Sequence, residues 1–169
     1  MNFFAEKYSS NNVHFKGRLN KQNQKEGFGE EISKDYNYTG NFYQDKKNGD
    51  GKITYKNSKE IYVGNFINNA LTGKGLYTWA NGDNYSGDFI NGKMHGTGEY
   101  LWPEGGKYIG EYINNIKAGK GIFHWTNGRI YEGEFAKGKP HGKGIINQNN
   151  KFYDVEFNDG KLVSKNRIK

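Results

Sequence analysis

The sequence predicts an all-β protein, a single extended and twisted antiparallel sheet built from tandem β-hairpins of about 23 residues each. Three observations carry this expectation. Aromatic residues and glycines alternate in short runs, as in Tyr85, Gly87, Phe89 and then Gly96, Gly98, Tyr100, Trp102, which is the period of a strand with one distinct face. The pattern recurs from Phe15, Tyr38, Tyr62, Tyr85, Tyr108, Tyr131 and Tyr153, at intervals of 22 to 24 residues. The chain has 25 Gly and only 2 Pro, a balance that suits tight turns between many short strands. A period this steady means an array of one supersecondary unit rather than a globule with a separate active-site domain.

Residues 1–14 match the unit poorly and read as an N-terminal segment, with Phe3, Phe4 and Tyr8 as candidates to cap the open end of the array. Six copies and a half copy follow over residues 15–160. The first reads FKGRL and GFGEEISKDY, and the second YTGNF and GDGKITY with one surplus residue in the turn at Asn57, Ser58 and Lys59. Three clean copies come next: YVGNF with GKGLYTWANG, YSGDF with GTGEYLWPEG, and YIGEY with GKGIFHWTNG. Asn81-Gly82 and Asn127-Gly128 are hairpin signals, because Asn and Gly accept positive φ at low cost. The sixth copy, YEGEF with GKGIINQNN, replaces rings with Ile146 and Gln148, and Tyr153, Val155, Phe157 and Gly160 form the half copy. Residues 161–169, KLVSKNRIK, read as a basic C-terminal tail.

If the first aromatic of each copy is position 0, the pattern is Y-x-G-x-F/Y-x-x-G/N-x-x-x-G-x-G-x-Y/F-x-W-x-N-G. This spacing resembles the MORN (membrane occupation and recognition nexus) repeat, and the resemblance runs from Phe15 to about Gly160. Leu19, the displaced Gly27 and Gly29, Asp45, Ile53, Gln148 and Val155 depart from it. The resemblance implies a non-catalytic role in ciliary or cytoskeletal assemblies, as a dimer or within a larger complex. The family's name implies anionic lipid as an alternative ligand.

Continuing the alternation without a break sets a register. Position 4 pairs with 11, so that Phe66 meets Gly73, Phe89 meets Gly96 and Tyr112 meets Gly119. Position 17 then opposes the next position 0, placing Trp79 against Tyr85, Trp102 against Tyr108 and Trp125 against Tyr131. Glycine on both flanks of each position-4 ring would form a floor for it. On the other face Glu111 would lie beside Lys120, and Glu134 beside Lys143.

Composition bounds the function further. Only 33% of residues are hydrophobic, but 16% are aromatic, so the apolar surface is carried by rings. The absence of Cys excludes a disulfide framework and favours a cytosolic compartment. The net charge of +7 permits an acidic protein, an anionic membrane or nucleic acid as partner. Nucleic acid is disfavoured, because the rings have each other to stack on. His95 and His141 lie two repeats apart, roughly 20 Å at two strands per repeat, which is too far for shared metal ligation. No glycine cluster matches a phosphate loop, and no nucleophile, base and orienting group recur together. The expectation is no enzyme, no cofactor and no metal.

The reading that remains is an interaction scaffold whose aromatic groove holds a helix or extended segment of another protein. Its anchors would be Tyr62, Phe66, Tyr77, Trp79, Tyr85, Phe89, Tyr100, Trp102, Tyr108, Tyr112, Phe123, Trp125, Tyr131 and Phe135. The open sheet ends suit a homo-oligomer or a larger complex. For the membrane alternative, Lys161, Lys165, Arg167 and Lys169 are the candidate contacts to anionic lipid.

Overall fold

The computed structural model describes residues 3–9 and 12–168, and among these residues there is no helix. The strands are β1 (Phe3–Tyr8), β2 (His14–Leu19), β3 (Lys25–Ile32), β4 (Tyr36–Tyr43), β5 (Lys46–Tyr55), β6 (Ile61–Ile67), β7 (Ala70–Thr78) and β8 (Asn84–Ile90). They continue as β9 (Lys93–Leu101), β10 (Lys107–Ile113), β11 (Ile116–His124), β12 (Ile130–Ala136), β13 (Lys139–Gln148), β14 (Lys151–Asn158) and β15 (Lys161–Arg167). All belong to one open antiparallel sheet in chain order. The chain falls into two compact units, Met1–Asn81 with Phe89–Gly92, and Gly82–Asp88 with Lys93–Lys169.

In the first unit the core is a file of edge-to-face rings. Phe15 meets Phe42 at 5.1 Å, Tyr38 meets Phe42 and Phe66 at 5.1 Å each, and Tyr62 meets Phe66 and Phe89 at 5.2 Å. The second unit repeats the device. Tyr112 stands between Tyr85 at 5.2 Å and Tyr108 at 5.3 Å, and Phe135 between Tyr108 at 4.8 Å and Tyr131 at 5.5 Å. The ring quadrupole favours this geometry by about 0.5–1.5 kcal/mol per pair beyond burial.

Glycine creates the space for these rings, but for a different ring than the alternation suggests. A Cβ on Gly75 would fall 2.6 Å from the Tyr62 Cζ, and one on Gly98 2.5 Å from the Tyr85 Cζ. The floor glycines, at positions 2 and 13, therefore serve the position-0 ring. The position-0 tyrosines lie flat over it and donate their hydroxyls to the position-3 carbonyls, Tyr62 to Asn65 O at 3.0 Å and Tyr108 to Glu111 O at 3.2 Å.

The expected register fails beyond position 2, for a physical reason. From β4–β5 onward each copy's hairpin closes through a two-residue turn with both residues left-handed, as at Asn68 and Asn69 (φ 49° and 71°) and Asn114 and Asn115 (φ 50° and 71°). That turn pairs Phe66 with Leu71 and Tyr112 with Lys117, whereas Gly64 still pairs with Gly75 and Gly110 with Gly121. Two residues per second strand, such as Gly119 and Lys120, are left over as a bulge against β10. The first glycine of each G-x-G takes a positive φ there, 61° at Gly73 and 56° at Gly119.

Between copies, position 15 rather than 17 opposes the next position 0. Tyr100 pairs with Tyr108 and Phe123 with Tyr131, because Trp102 and Trp125 begin the connecting turns, each amide bonded to a carbonyl four residues on. In the second of these turns Gly128 alone takes the positive φ expected of both Asn127 and Gly128. The expected charge pairs are also replaced. The Glu111 carboxylate accepts the Lys120 backbone N–H at 2.9 Å, while Lys120 stands opposite Glu134 and Lys143 opposite Glu156. The Asp88 carboxylate likewise accepts the Thr97 N–H at 3.0 Å, so the acidic residue satisfies the bulge backbone.

At the N-terminal edge β1 pairs with β2. Met1 and Asn2 and the side chains of Phe3 and Phe4 lie outside the described residues; Tyr8 is exposed and stacked on His14 at 4.4 Å. The segment read as a tail is strand β15 over Lys161–Arg167, paired with β14, and Lys169 lies outside the described residues.

Candidate functional site

Eight of the fourteen residues expected in the groove are core. Tyr62, Phe66, Tyr85, Phe89, Tyr108, Tyr112, Tyr131 and Phe135 are at most 4% exposed and pack inside the sheet's own row of rings. The other six, Tyr77, Trp79, Tyr100, Trp102, Phe123 and Trp125, are half-buried and form the accessible part of the aromatic face. The positions divide this way because the rings at 0 and 4 pack edge to face on one another, as Tyr62 does on Phe66 and Phe89, whereas position 17 lies beyond the strand end in the connecting turn and position 15 packs beside it.

In the first unit Tyr77 and Trp79 lie 4.7 Å apart, and the Tyr77 hydroxyl donates to Glu60 Oε2 at 2.8 Å. In the second unit four rings follow one another, Tyr100 to Trp102 at 4.7 Å, Trp102 to Phe123 at 5.4 Å and Phe123 to Trp125 at 4.9 Å. The Tyr100 hydroxyl donates to Asp83 Oδ2 at 2.6 Å, and the Arg129 guanidinium lies 4.2 Å from the Trp125 ring. These rings are held from behind and open in front, the condition in which an aromatic side chain contributes contact area at little entropic cost.

The pattern reading missed Lys117. This residue stands opposite Tyr112, with its Nζ 4.4 Å from the Trp102 ring, 4.9 Å from Phe123 and 5.0 Å from Tyr108. Burial pushes its pKa down to about 8. It lines a cleft of about 450 Å³ together with Met94, Tyr100, Trp102, Tyr112 and Lys137. The signal in the sequence is a lysine at a position occupied by Leu71 and Met94 in the two preceding copies.

Three of the four proposed lipid contacts are described. Lys161, Lys165 and Arg167 are exposed on β15, with the Lys165 Nζ 4.0 Å from the Tyr153 ring. Among the described residues no group of three or more His, Cys, Asp or Glu side chains is placed to hold a metal ion.

An open meander of hairpins, five of them with a tyrosine laid over paired glycines and a bulge at the G-x-G, defines a tandem β-repeat protein. The MORN repeat model matches residues 38–59, 62–84, 85–107, 108–128 and 131–146, and the chain belongs to this family. No curated protein sequence matches the chain. Among solved structures it is similar to the TCP domain of Drosophila melanogaster SAS-4 (dCPAP), in complex with a proline-rich motif of Ana2 (dSTIL). That likeness has 13% identity and a TM-score of 0.49 over 88% of this chain and 85% of that one. It is also similar to a mutant of the TCP10 domain of Danio rerio CPAP, at 10% identity and a TM-score of 0.37 over 97% and 99% of the two chains.

Proposed function

We propose that the chain is a non-catalytic scaffold that holds an extended or helical segment of a partner protein against its half-exposed rings, within a ciliary or cytoskeletal assembly. The observation that carries this is the run Tyr100, Trp102, Phe123 and Trp125, four contiguous rings that the core supports but does not cover. In this reading the repeats span residues 15–160, β1 caps one end, and the cellular setting follows from the family. The test is affinity capture from the source organism with the wild-type chain and with Trp102→Ala/Trp125→Ala, checked for folding by circular dichroism. Structural proteins of a cilium or cytoskeleton should be retained by the wild type and lost from the variant. Equal recovery by both, or recovery of lipid enzymes alone, sinks the reading.

A second reading rests on β15, which presents Lys161, Lys165 and Arg167 to solvent. Basic residues near an anionic surface contribute about 1 kcal/mol each, so this strand, with Lys169, is a contact for phosphoinositide or phosphatidylserine membranes. Liposome flotation that disappears at high salt and on replacing these four residues by Gln supports it; no flotation of the wild type removes it.

A further inference from the structure

Three lysines of this chain occupy the same place in their hairpins, opposite position 4. They are Lys25 opposite Leu19, Lys47 opposite Phe42 and Lys117 opposite Tyr112. Each ammonium is turned in among the rings, Lys25 over Phe15 and Phe42, Lys47 over Tyr36 and Tyr38, Lys117 over Trp102, Tyr108 and Phe123. For the first two the chain provides a carboxylate. Glu31, 4% exposed, takes ion pairs from both Lys25 and Lys47, the latter at 2.9 Å. A phenol completes that site, the Tyr36 hydroxyl donating to Glu31 Oε1 at 2.6 Å.

Around Lys117 the same donors stand without the acceptor. Among the described residues no carboxylate pairs with its ammonium, and none lines the cleft it faces, whose other charged group is Lys137. The second donor is present as well. Tyr112 lines the same cleft and is 2% exposed, and its hydroxyl is a buried polar atom with no hydrogen-bond partner. Every other full copy has Phe or Leu at that position, so the unpaired hydroxyl is confined to the hairpin that holds the unpaired lysine. A buried donor left unpaired is costly, and so is a half-buried charge with no counterion.

We infer that the cleft over Lys117 is a carboxylate-binding subsite, and that it receives an Asp or Glu side chain of the partner segment, flanked by an apolar residue seated against Met94 and Trp102. The inference rests on the scaffold reading above and names the chemistry of its partner. The chain's own Glu31 site is the precedent, one carboxylate held by ammonium groups and a phenol beneath aromatic walls. Lys137, at the cleft, adds a second positive charge toward the same ligand.

The test uses random dodecapeptides displayed on phage and selected on the full chain, followed by affinity measurements. Lys117→Met gives this hairpin the residue that Met94 already provides in the preceding copy, so folding is expected to survive it; Lys117→Arg keeps the charge. Selected peptides should share an Asp or Glu next to an apolar residue. Changing that acid to its amide should weaken binding to the wild type by about tenfold or more, the effect of one charge-assisted hydrogen bond. The same change should have almost no effect on binding to Lys117→Met, and Lys117→Arg should restore the preference. Peptides that bind through Trp125 but carry no acid preference, or lose equal affinity on both proteins, overturn the subsite and leave the scaffold reading standing. If no selected peptide depends on Trp125 or Trp102, both readings fall. Phosphatidylserine vesicles that bind through Lys117 when no peptide does would also overturn the assignment.

Discussion

Gly75 and Gly105 are the same residue with opposite surroundings, and substitution separates them. A methyl on Gly75 enters the Tyr62 ring, 2.6 Å from Cζ, whereas Gly105 has nothing within 4 Å and only a φ of 96° to maintain. Gly75→Ala should therefore cost about 3 kcal/mol as overpacking, and Gly105→Ala about 1 kcal/mol as backbone strain, read as shifts in the urea midpoint. Tyrosine hydroxyls divide in the same way. Tyr85 donates to Asp88 O at 3.1 Å, while Tyr112 has no acceptor. Tyr85→Phe should destabilise by about 1 kcal/mol, and Tyr112→Phe should stabilise the free protein by about the same amount. Equal signs in thermal unfolding would contradict the assignment of these two hydroxyls.

At the scale of the hairpin, the β2–β3 pair differs from the full copies after it in setting a carboxylate opposite position 0, where they set a ring or an isoleucine. Its turn is one residue longer, with the Asn20 side chain accepting the Gln22 and Gln24 amides, and this displaces Gly27 and Gly29 by one and sets Glu31 opposite Phe15. Burial acts to raise the Glu31 pKa, but hydrogen bonds from Lys25, Tyr36 and Lys47 outweigh it and hold it at about 2, against an ordinary 4.5. A depressed pKa stabilises the fold above the unfolded value and loses that contribution as pH falls. Urea unfolding should show stability declining between about pH 4.5 and 2, and Glu31→Gln should remove that slope, less stable than the wild type at neutral pH and converging with it near pH 2. The strands and their order were legible because aromatic–glycine alternation marks each one. The register was not, because the letters of Gly119 and Gly121 are identical although one is a left-handed bulge and the other a floor. Lys117 was hidden for a related reason, since its cage is drawn from the turn after β9, from β10 and from β11.

Across the whole molecule the buried tyrosines make the fold sensitive to alkali. Burial pushes the phenols of Tyr62, Tyr85 and Tyr131 up to about 12 from an ordinary 10. A raised pKa contributes stability that is complete below the unfolded value and is lost as pH rises through the folded one. Unfolding free energy should fall between about pH 10 and 12, with phenolate absorbance at 295 nm appearing together with loss of the β signal. Ionisation of all thirteen tyrosines near pH 10 without unfolding would contradict the buried file. The family was legible in the spacing of aromatics and glycines, but which rings lie open depended on knowing which rings the sheet itself covers. One further property follows from the pairing of position 15 with position 0 on both sides of a strand. Tyr108 meets Tyr100 on one flank and Phe123 on the other, and Phe123 meets Tyr131. Excising residues 108–130 would bring Tyr131 to Tyr100 through a connection of unchanged length. A gene encoding this sheet can therefore gain or lose whole copies by unequal recombination without putting any remaining strand out of step.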